Sequence, residues 1–241
     1  MTDEATILIS RRLTTARYAL GRAWLNLKIQ RQALRAWRLA YGNAALKRGF
    51  DLAVSLTLLF ALSPLFLLIA LLVKLEDGGP VFFPQVRVGR YGREFKMYKI
   101  RSMCLDAEER LQELLARNVH REGVTFKLKD DPRITRTGRW LRKFSLDELP
   151  QLWNVFIGDM SLVGPRPPVP REVAVYSPAD RRRLTIKPGV TCIWQISGRS
   201  EIDFSGQVRL DVAYIEAQSF WTDARILLQT VPAVLSGKGA C

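Results

Sequence analysis

Two carboxylates, Asp147 and Glu148, stand side by side in the sequence, with Arg136, Arg139, Arg142 and Lys143 before them and Arg166 after them between prolines. An ionised Asp held among cations can attack phosphorus and form an acyl phosphate. A neighbouring Glu can help hold Mg²⁺, which needs few protein ligands when a substrate's phosphate oxygens complete its shell. Guanidinium groups then bind the remaining phosphate oxygens in pairs. The same residues allow a plainer use. Ser145 or Asp147 caps a helix, and Ser145 with Glu148 spells a capping box. Carboxylates this close in sequence do not easily flank a glycosidic bond, which disfavours a glycosidase. Other chemistries lack their parts. The chain's 241 residues include one histidine, His120, so an HExxH zinc site and a C₂H₂ finger are excluded. Cys104, Cys192 and Cys241 are far apart, so neither a disulfide framework nor a zinc ribbon is indicated, and a reducing cytosol fits best.

The elements around the carboxylates follow from prolines, glycines and apolar spacing. Pro150 belongs in a first helical turn, so a helix is expected to start near Ser145 or Asp147. Leu149, Leu152, Trp153 and Phe156 give it an apolar face, and Gly158 is its stop. Gly164-Pro-Arg166-Pro-Pro168 reads as a stiff extended loop. Lys187–Val190 fits a type II turn, Val190–Ile196 a strand, and 205–218 and 222–235 two closing helices. Upstream, residues 76–101 read as a small sheet or hairpins with a turn at Gly89–Gly92. Residues 105–118 form an amphipathic helix, and Asp130-Asp131-Pro132 a turn. No P-loop or dinucleotide fingerprint is present. The fold class expected is α+β, mainly helical.

Residues 52–73 are 22 positions without a charge. A straight helix of that length is roughly 33 Å long, which matches a bilayer core. Ser63-Pro64 interrupts it near the middle; the proline removes a backbone donor, and Ser63 can satisfy one freed group. Lys47 and Arg48 precede the run, while Lys74, Arg87, Arg90 and Arg93 follow it. Basic residues at both ends suit a re-entrant hairpin whose two ends face the cytosol. A kinked span and a buried helix of a soluble core stay open.

Of a net charge of +14, residues 1–48 carry +8. Such a segment seeks nucleic acid or anionic lipid, or is a solvated tail. Leu13, Leu20, Trp24, Leu27, Leu34 and Tyr41 fall in a stripe at helical spacing that Arg31 and Arg38 interrupt, which favours a lipid surface. A nucleic-acid module is disfavoured, because no helix-turn-helix or aromatic-basic strand signal is present.

Several longer motifs occur together. They are Lys47-Arg48-Gly-Phe-Asp51, the Ser63-Pro64 break, Phe95-Lys-Met-Tyr-Lys99-Ile-Arg101-Ser-Met103 and Ser145-Leu-Asp-Glu-Leu-Pro-Gln-Leu152. Gly158-Asp-Met-Ser-Leu-Val-Gly-Pro-Arg-Pro167, Lys187-Pro-Gly-Val-Thr191 and Gln195-Ile-Ser-Gly-Arg199 follow in the same order. Together they closely resemble the bacterial sugar transferase family, the small monotopic phosphoglycosyl transferases, over about residues 46–240.

The resemblance implies transfer of a sugar-1-phosphate from a UDP-sugar to undecaprenyl phosphate. The products are undecaprenyl-diphosphate-sugar and UMP, in the initiating step of exopolysaccharide, capsule or O-antigen-type synthesis. It implies that Asp147 is the nucleophile that carries a phosphosugar, that Glu148 helps hold Mg²⁺, and that Lys99, Arg142 and Arg166 lie near nucleotide and phosphates. Ser63 and Pro64 match the break of a re-entrant helix. The implied organisation is a basic amphipathic extension over 1–46, a membrane re-entrant helix over 47–74, and a cytosolic catalytic domain over 75–241 with short strands and amphipathic surface helices. The implied place is the cytoplasmic face of a bacterial inner membrane. Its partners are the donor, the lipid acceptor and membrane lipid, with no nucleic acid; a homodimer is left open. A non-catalytic scaffold is the competing reading, against which an intact Asp147-Glu148 pair speaks. No motif reports the sugar.

Overall fold

The computed structural model describes Leu27, residues 44–110 and residues 131–237. The chain divides into two compact units, Met1–Lys47 and Arg48–Cys241. In the first, Leu27 is helical and exposed, while Leu13, Leu20, Trp24, Leu34 and Tyr41 lie outside the described residues. So do His120, most of the helix expected over 105–118, and Asp130.

The apolar run is two helices. α1 (Ala44–Ala61) and α2 (Ser63–Asp77) are bent by 58° at Leu62. Among the described residues no single helix is long and apolar enough to cross a membrane; this bent pair passes that test only jointly. The break follows from covalent structure. Pro64 has no N–H to offer the carbonyl of Phe60, four residues back. The Ser63 hydroxyl donates to that carbonyl instead, at 2.8 Å. Gly78, in the left-handed region at φ 70°, ends α2 and donates its N–H to Lys74.

The pair turns its polar groups inward. Asp51 and Ser55 are buried, whereas Phe60 is 83% exposed, with Leu56, Leu67, Leu71 and Leu75 also exposed. Asp51 Oδ1 accepts the N–H of Leu162 at 3.1 Å, and the Arg48 guanidinium donates to the carbonyls of Val155 and Phe156 at 2.6 and 2.8 Å. Arg48 thereby caps the carbonyl end of another helix, where a cation is favoured.

Beyond the bent pair the fold remains mainly helical with short strands. β1 (Phe82–Val88) and β2 (Glu94–Ile100) form an antiparallel pair with Phe82 opposite Ile100, joined by a tight turn over Arg90–Gly92. α3 (Arg136–Lys143) follows, then α4 (Gln151–Ile157), which ends at Gly158 with φ 99° as the glycine predicts. β3 (Ser161–Val163) pairs in parallel with β4 (Gly189–Thr191), and α5 (Pro170–Ala174) lies between them in sequence. α6 (Ile193–Ser197), α7 (Phe204–Glu216) and α8 (Phe220–Ser236) close the unit.

Two expectations need correction. The strand expected over 190–196 stops at Thr191, and Ile193–Ser197 is helical. Gly189 does not adopt the positive φ of a type II turn. A glycine is required there for another reason: a Cβ would lie 2.1 Å from the backbone nitrogen of Gly164, because the two loops cross in contact.

The core has two parts. Met97, Leu152, Val155, Met160, Leu162, Val163, Tyr214 and Ile226 form one, against which α1 packs through Phe50, Val54 and Leu59. Ile69, Val73, Ile100 and Leu141 form the other. β2 joins both, through Met97 and Ile100. Side chains alternate along a strand, so Lys99 shares the face of Met97.

Candidate active site

Lys99, Arg142, Asp147, Glu148 and Arg166 line one cleft of about 770 Å³. Ser63 and Pro64 are not among its lining residues; they lie at the break between α1 and α2. Four segments supply the charged groups: β2, α3, the turn after it and the loop that carries Arg166.

Asp147 and Glu148 sit in a 3₁₀ turn, Leu146–Glu148, that precedes α4. Ser145 before it is in the left-handed region at φ 53°, a conformation that costs a non-glycine residue on the order of 1 kcal/mol. Ser145 makes no side-chain cap, and the residue at the N-terminal boundary of α4 is Pro150, also without a side-chain cap. The capping box that the spacing allows is therefore not formed. The two carboxylates are left for other work.

Lys99 is set by β2, and β2 is held to α4 by Asn154. This fully buried amide accepts the N–H of Tyr98 at 3.0 Å and donates to the carbonyl of Lys96 at 2.7 Å. Arg142 is set by α3. Thr135 caps that helix by accepting from Gly138 N–H at 3.0 Å, and Glu76 at the end of α2 accepts from Arg136 N–H at 2.8 Å. Gly138 permits close contact with the chain after β2: a Cβ would stand 2.0 Å from the carbonyl oxygen of Ser102. Arg166 lies on the proline-stiffened loop, pinned on both sides. Gly164 donates to Thr191 at 3.1 Å and Gly189 to Pro165 at 2.9 Å. Arg87 Nη1 donates to the carbonyl of Pro167 at 2.8 Å, and Val88 N–H to Pro168 at 2.9 Å.

These supports bring two cations onto one oxygen. Lys99 Nζ donates to Glu148 Oε1 at 3.0 Å, and Arg166 Nη2 donates to the same atom at 2.9 Å. Burial alone would raise the Glu148 pKa, but the charges of Arg166 and Lys99 outweigh it and hold the carboxyl well below its usual range. The Glu148 charge in turn raises the Arg166 pKa. Burial lowers that of Lys99, with Glu148 opposing.

Asp147 differs from its neighbour. It is 7% exposed and makes no hydrogen bond or ion pair among the described residues. Burial raises its pKa; Lys99, Arg142 and Arg166 pull it down, Glu148 adds to the rise, and the net direction is upward.

The donor set decides whether a divalent cation fits. Among the described residues no three His, Cys, Asp or Glu side chains converge to hold a metal by themselves. Both ion pairs of Glu148 use Oε1, so Oε2 is left, and the Asp147 oxygens are unpaired. One or two carboxylates are what Mg²⁺ takes from a protein when substrate phosphates supply the rest. The pair fits as the protein half of such a site.

Sequence reasoning missed Arg87 and Asn154. Burial and the charge of Arg166 push the Arg87 guanidinium down to about 10. Its position in an alternating strand carries no sign that it steadies the Arg166 loop. Asn154 among apolar helix residues was a usable signal, since a buried amide must find partners.

A family model described as bacterial sugar transferase matches residues 42–237. The chain is 54% identical over 166 residues to galactosyl transferase CpsE of Streptococcus agalactiae serotype III, covering 68% of this chain and 37% of that protein. It is 46% identical over 198 residues to undecaprenyl-phosphate galactose phosphotransferase of Salmonella typhimurium, covering 81% and 41%. It is 44% identical over 197 residues to exopolysaccharide production protein ExoY of Sinorhizobium fredii, covering 80% and 87%. The chain thus spans about two fifths of the length of the first two and most of the third.

Proposed function

Because the chain belongs to the bacterial sugar transferase family, we propose that it transfers a sugar-1-phosphate from a UDP-sugar to undecaprenyl phosphate, in the opening step of an exopolysaccharide or related glycan. The observation that carries this reading is the asymmetry of the carboxylates. Glu148 is clamped by Lys99 and Arg166, while Asp147 stands unpaired in a cation-lined cleft.

In the first half-reaction a carboxylate oxygen of Asp147 attacks the phosphorus attached to the sugar. The new O–P bond forms as the bond to the UMP oxygen breaks, and UMP leaves with that electron pair. Arg166, Arg142 and Lys99 bind and orient the phosphate oxygens. Glu148 keeps Lys99 and Arg166 in register, and its Oε2 together with Asp147 would hold Mg²⁺. Mg²⁺, when bound, neutralises diphosphate charge as a Lewis acid. In the second half an oxygen of the lipid phosphate attacks the same phosphorus, giving lipid-diphosphate-sugar and freeing the Asp147 carboxylate.

We read α1–α2 as re-entrant, with the catalytic unit on the cytoplasmic face of the membrane. Basic residues at both ends, inward Asp51 and Ser55, and outward leucines support this reading.

The test is UMP release. With undecaprenyl phosphate and Mg²⁺ the protein should turn over a UDP-sugar, and EDTA should abolish turnover until Mg²⁺ is restored. UDP-galactose is the first donor to try, because two relatives carry galactose in their names. No UMP from any donor in a panel would end this reading, and full activity in EDTA would end the metal role of Glu148.

A further inference from the structure

Lys99 shares its face of the β1–β2 pair with Phe83, Gln85 and Arg87. Phe83 is its cross-strand partner, and side chains alternate along β1, so the three stand in one stripe. All three line the catalytic cleft. Both ends of the stripe adjoin the phosphate-binding groups: Phe83 lies opposite Lys99, and Arg87 holds the loop of Arg166 through the carbonyl of Pro167. Phe83 is 37% exposed, and its ring meets no other ring among the described residues. The other described rings that line the cleft are occupied or hidden. Phe144 packs on Trp140 with ring centroids 5.5 Å apart, and Trp194 is buried.

The bonds of Gln85 fix what it can offer. A guanidinium only donates, so the Gln85 atom that receives Arg87 Nε at 3.0 Å and Nη2 at 2.6 Å is the carbonyl oxygen. The amide nitrogen then points elsewhere, and it makes no hydrogen bond among the described residues. The stripe therefore presents an open aromatic ring, an amide donor and a cation, while its side-chain acceptor is already taken. That combination discriminates between the parts of a nucleotide-sugar and a lipid phosphate. A polyprenyl chain has no acceptor for the amide. A sugar brings several hydroxyl protons, for which the stripe has no free side-chain acceptor. A uracil ring brings a flat face for stacking and carbonyl oxygens for the amide.

We propose that Phe83 stacks on the uracil of the donor, with the Gln85 amide nitrogen donating to one of its carbonyl oxygens. This rests on the UDP-sugar reading above and deepens it by placing the nucleobase on β1, beside the cations that take the phosphates.

Binding tests it without requiring turnover. The full chain in detergent with Mg²⁺ is titrated with UMP, pyrophosphate and a short-chain polyprenyl monophosphate. Phe83→Leu keeps apolar bulk and removes the ring. It should bind UMP at least about tenfold more weakly than the parent, a loss of about 1.4 kcal/mol. Pyrophosphate has no base, so its binding should stay within about twofold of the parent. Phe83→Trp restores a ring and should recover UMP binding. Gln85→Glu still accepts from Arg87 but has no amide donor, so it should lose more affinity for UMP than for pyrophosphate. UMP binding within about twofold of the parent in Phe83→Leu overturns the proposal. So does an equal loss of UMP and pyrophosphate in both variants, which would mark a distorted phosphate site. Loss of polyprenyl monophosphate binding with UMP binding kept would mark a lipid site and overturn it as well. Turnover by the parent is scored separately: a parent that binds UMP through Phe83 but forms none from a UDP-sugar keeps this assignment and removes the transferase reading.

Discussion

The bent α1–α2 pair and the charged cleft handle polarity in opposite ways. In the bent pair the leucines face out, and Asp51 is buried with its acceptor matched to the N–H of Leu162. In the cleft the charged groups line open space, and one buried carboxylate, Asp147, has no partner among the described residues. A buried polar group with its bond made is a structural joint. A poorly solvated carboxylate left without one carries a desolvation cost that a bound ligand can offset. The two aspartates are equally hidden, so burial alone does not separate them. What separates them is whether the bond is made inside the protein.

The sharpest way to break this comparison is to remove each carboxylate in turn. Asp147→Asn keeps the shape and removes the nucleophile. Turnover should fall at least about a thousandfold. The melting temperature should hold or rise, because a poorly solvated carboxyl without a partner is gone. Incubated with UDP-sugar and no acceptor, the parent should gain the mass of one sugar phosphate on the peptide containing Asp147, and the variant should gain none. Near-normal turnover in a well-folded variant would remove Asp147 from the mechanism.

Asp51→Ala should do the reverse. It leaves the Leu162 N–H orphaned in the core and should lower stability by about 1–3 kcal/mol. Activity per folded molecule, measured well below the melting temperature, should survive. A large loss of specific activity at full stability would erase the distinction between the two regions.

The α1–α2 side can be sharpened by topology. Single cysteines at Ala45 and Arg209, both exposed positions, in a background lacking the native three, should both resist an impermeant thiol reagent in intact cells. Labelling of Ala45→Cys alone would mean that the pair spans. Pro64→Leu restores the donor for Phe60 and should shift the protein toward that labelled form.

The smallest effect concerns the tie between the regions. Arg101 after β2 donates to both oxygens of Asp77 at the end of α2. Those bonds hold the Asp77 pKa below its ordinary value. A carboxyl whose folded pKa is depressed contributes stability that is present above its unfolded pKa, near about 4, and lost as the pH falls below it. The contribution is about 1 kcal/mol or less, because Asp77 is partly open to solvent. Melting curves between pH 5 and 3 should therefore fall slightly more steeply for the parent than for Asp77→Asn. Parallel curves would show that the tie carries no stability.

Much of the local structure was legible because its causes are local. Pro64 with Ser63 placed the helix break, Gly158 the end of α4, and the β-prone runs the β1–β2 hairpin. The failures share a cause. Gly189 reads as a turn glycine in sequence, but its constraint comes from Gly164, a distant residue that crosses it. Ser145 with Glu148 spells a capping box, yet the left-handed Ser145 and the ion pairs of Glu148 override that local preference. Arg87 and Asn154 act on backbone carbonyls and amides of other segments, and side-chain type does not reveal such partners.

Residue types and spacing by themselves determined that this chain has an apolar run broken at Ser63-Pro64 between basic flanks, two adjacent carboxylates, and an arginine on a stiffened loop. Only the tertiary structure decided how those parts share charge. Lys99 and Arg166 are 49 and 18 residues from Glu148 in sequence, yet both donate to its Oε1, and Asp147 one residue away receives neither. Periodicity and capping preferences act over a few residues. Which oxygen receives which cation depends on ångström-scale distances between segments that meet only when the core closes.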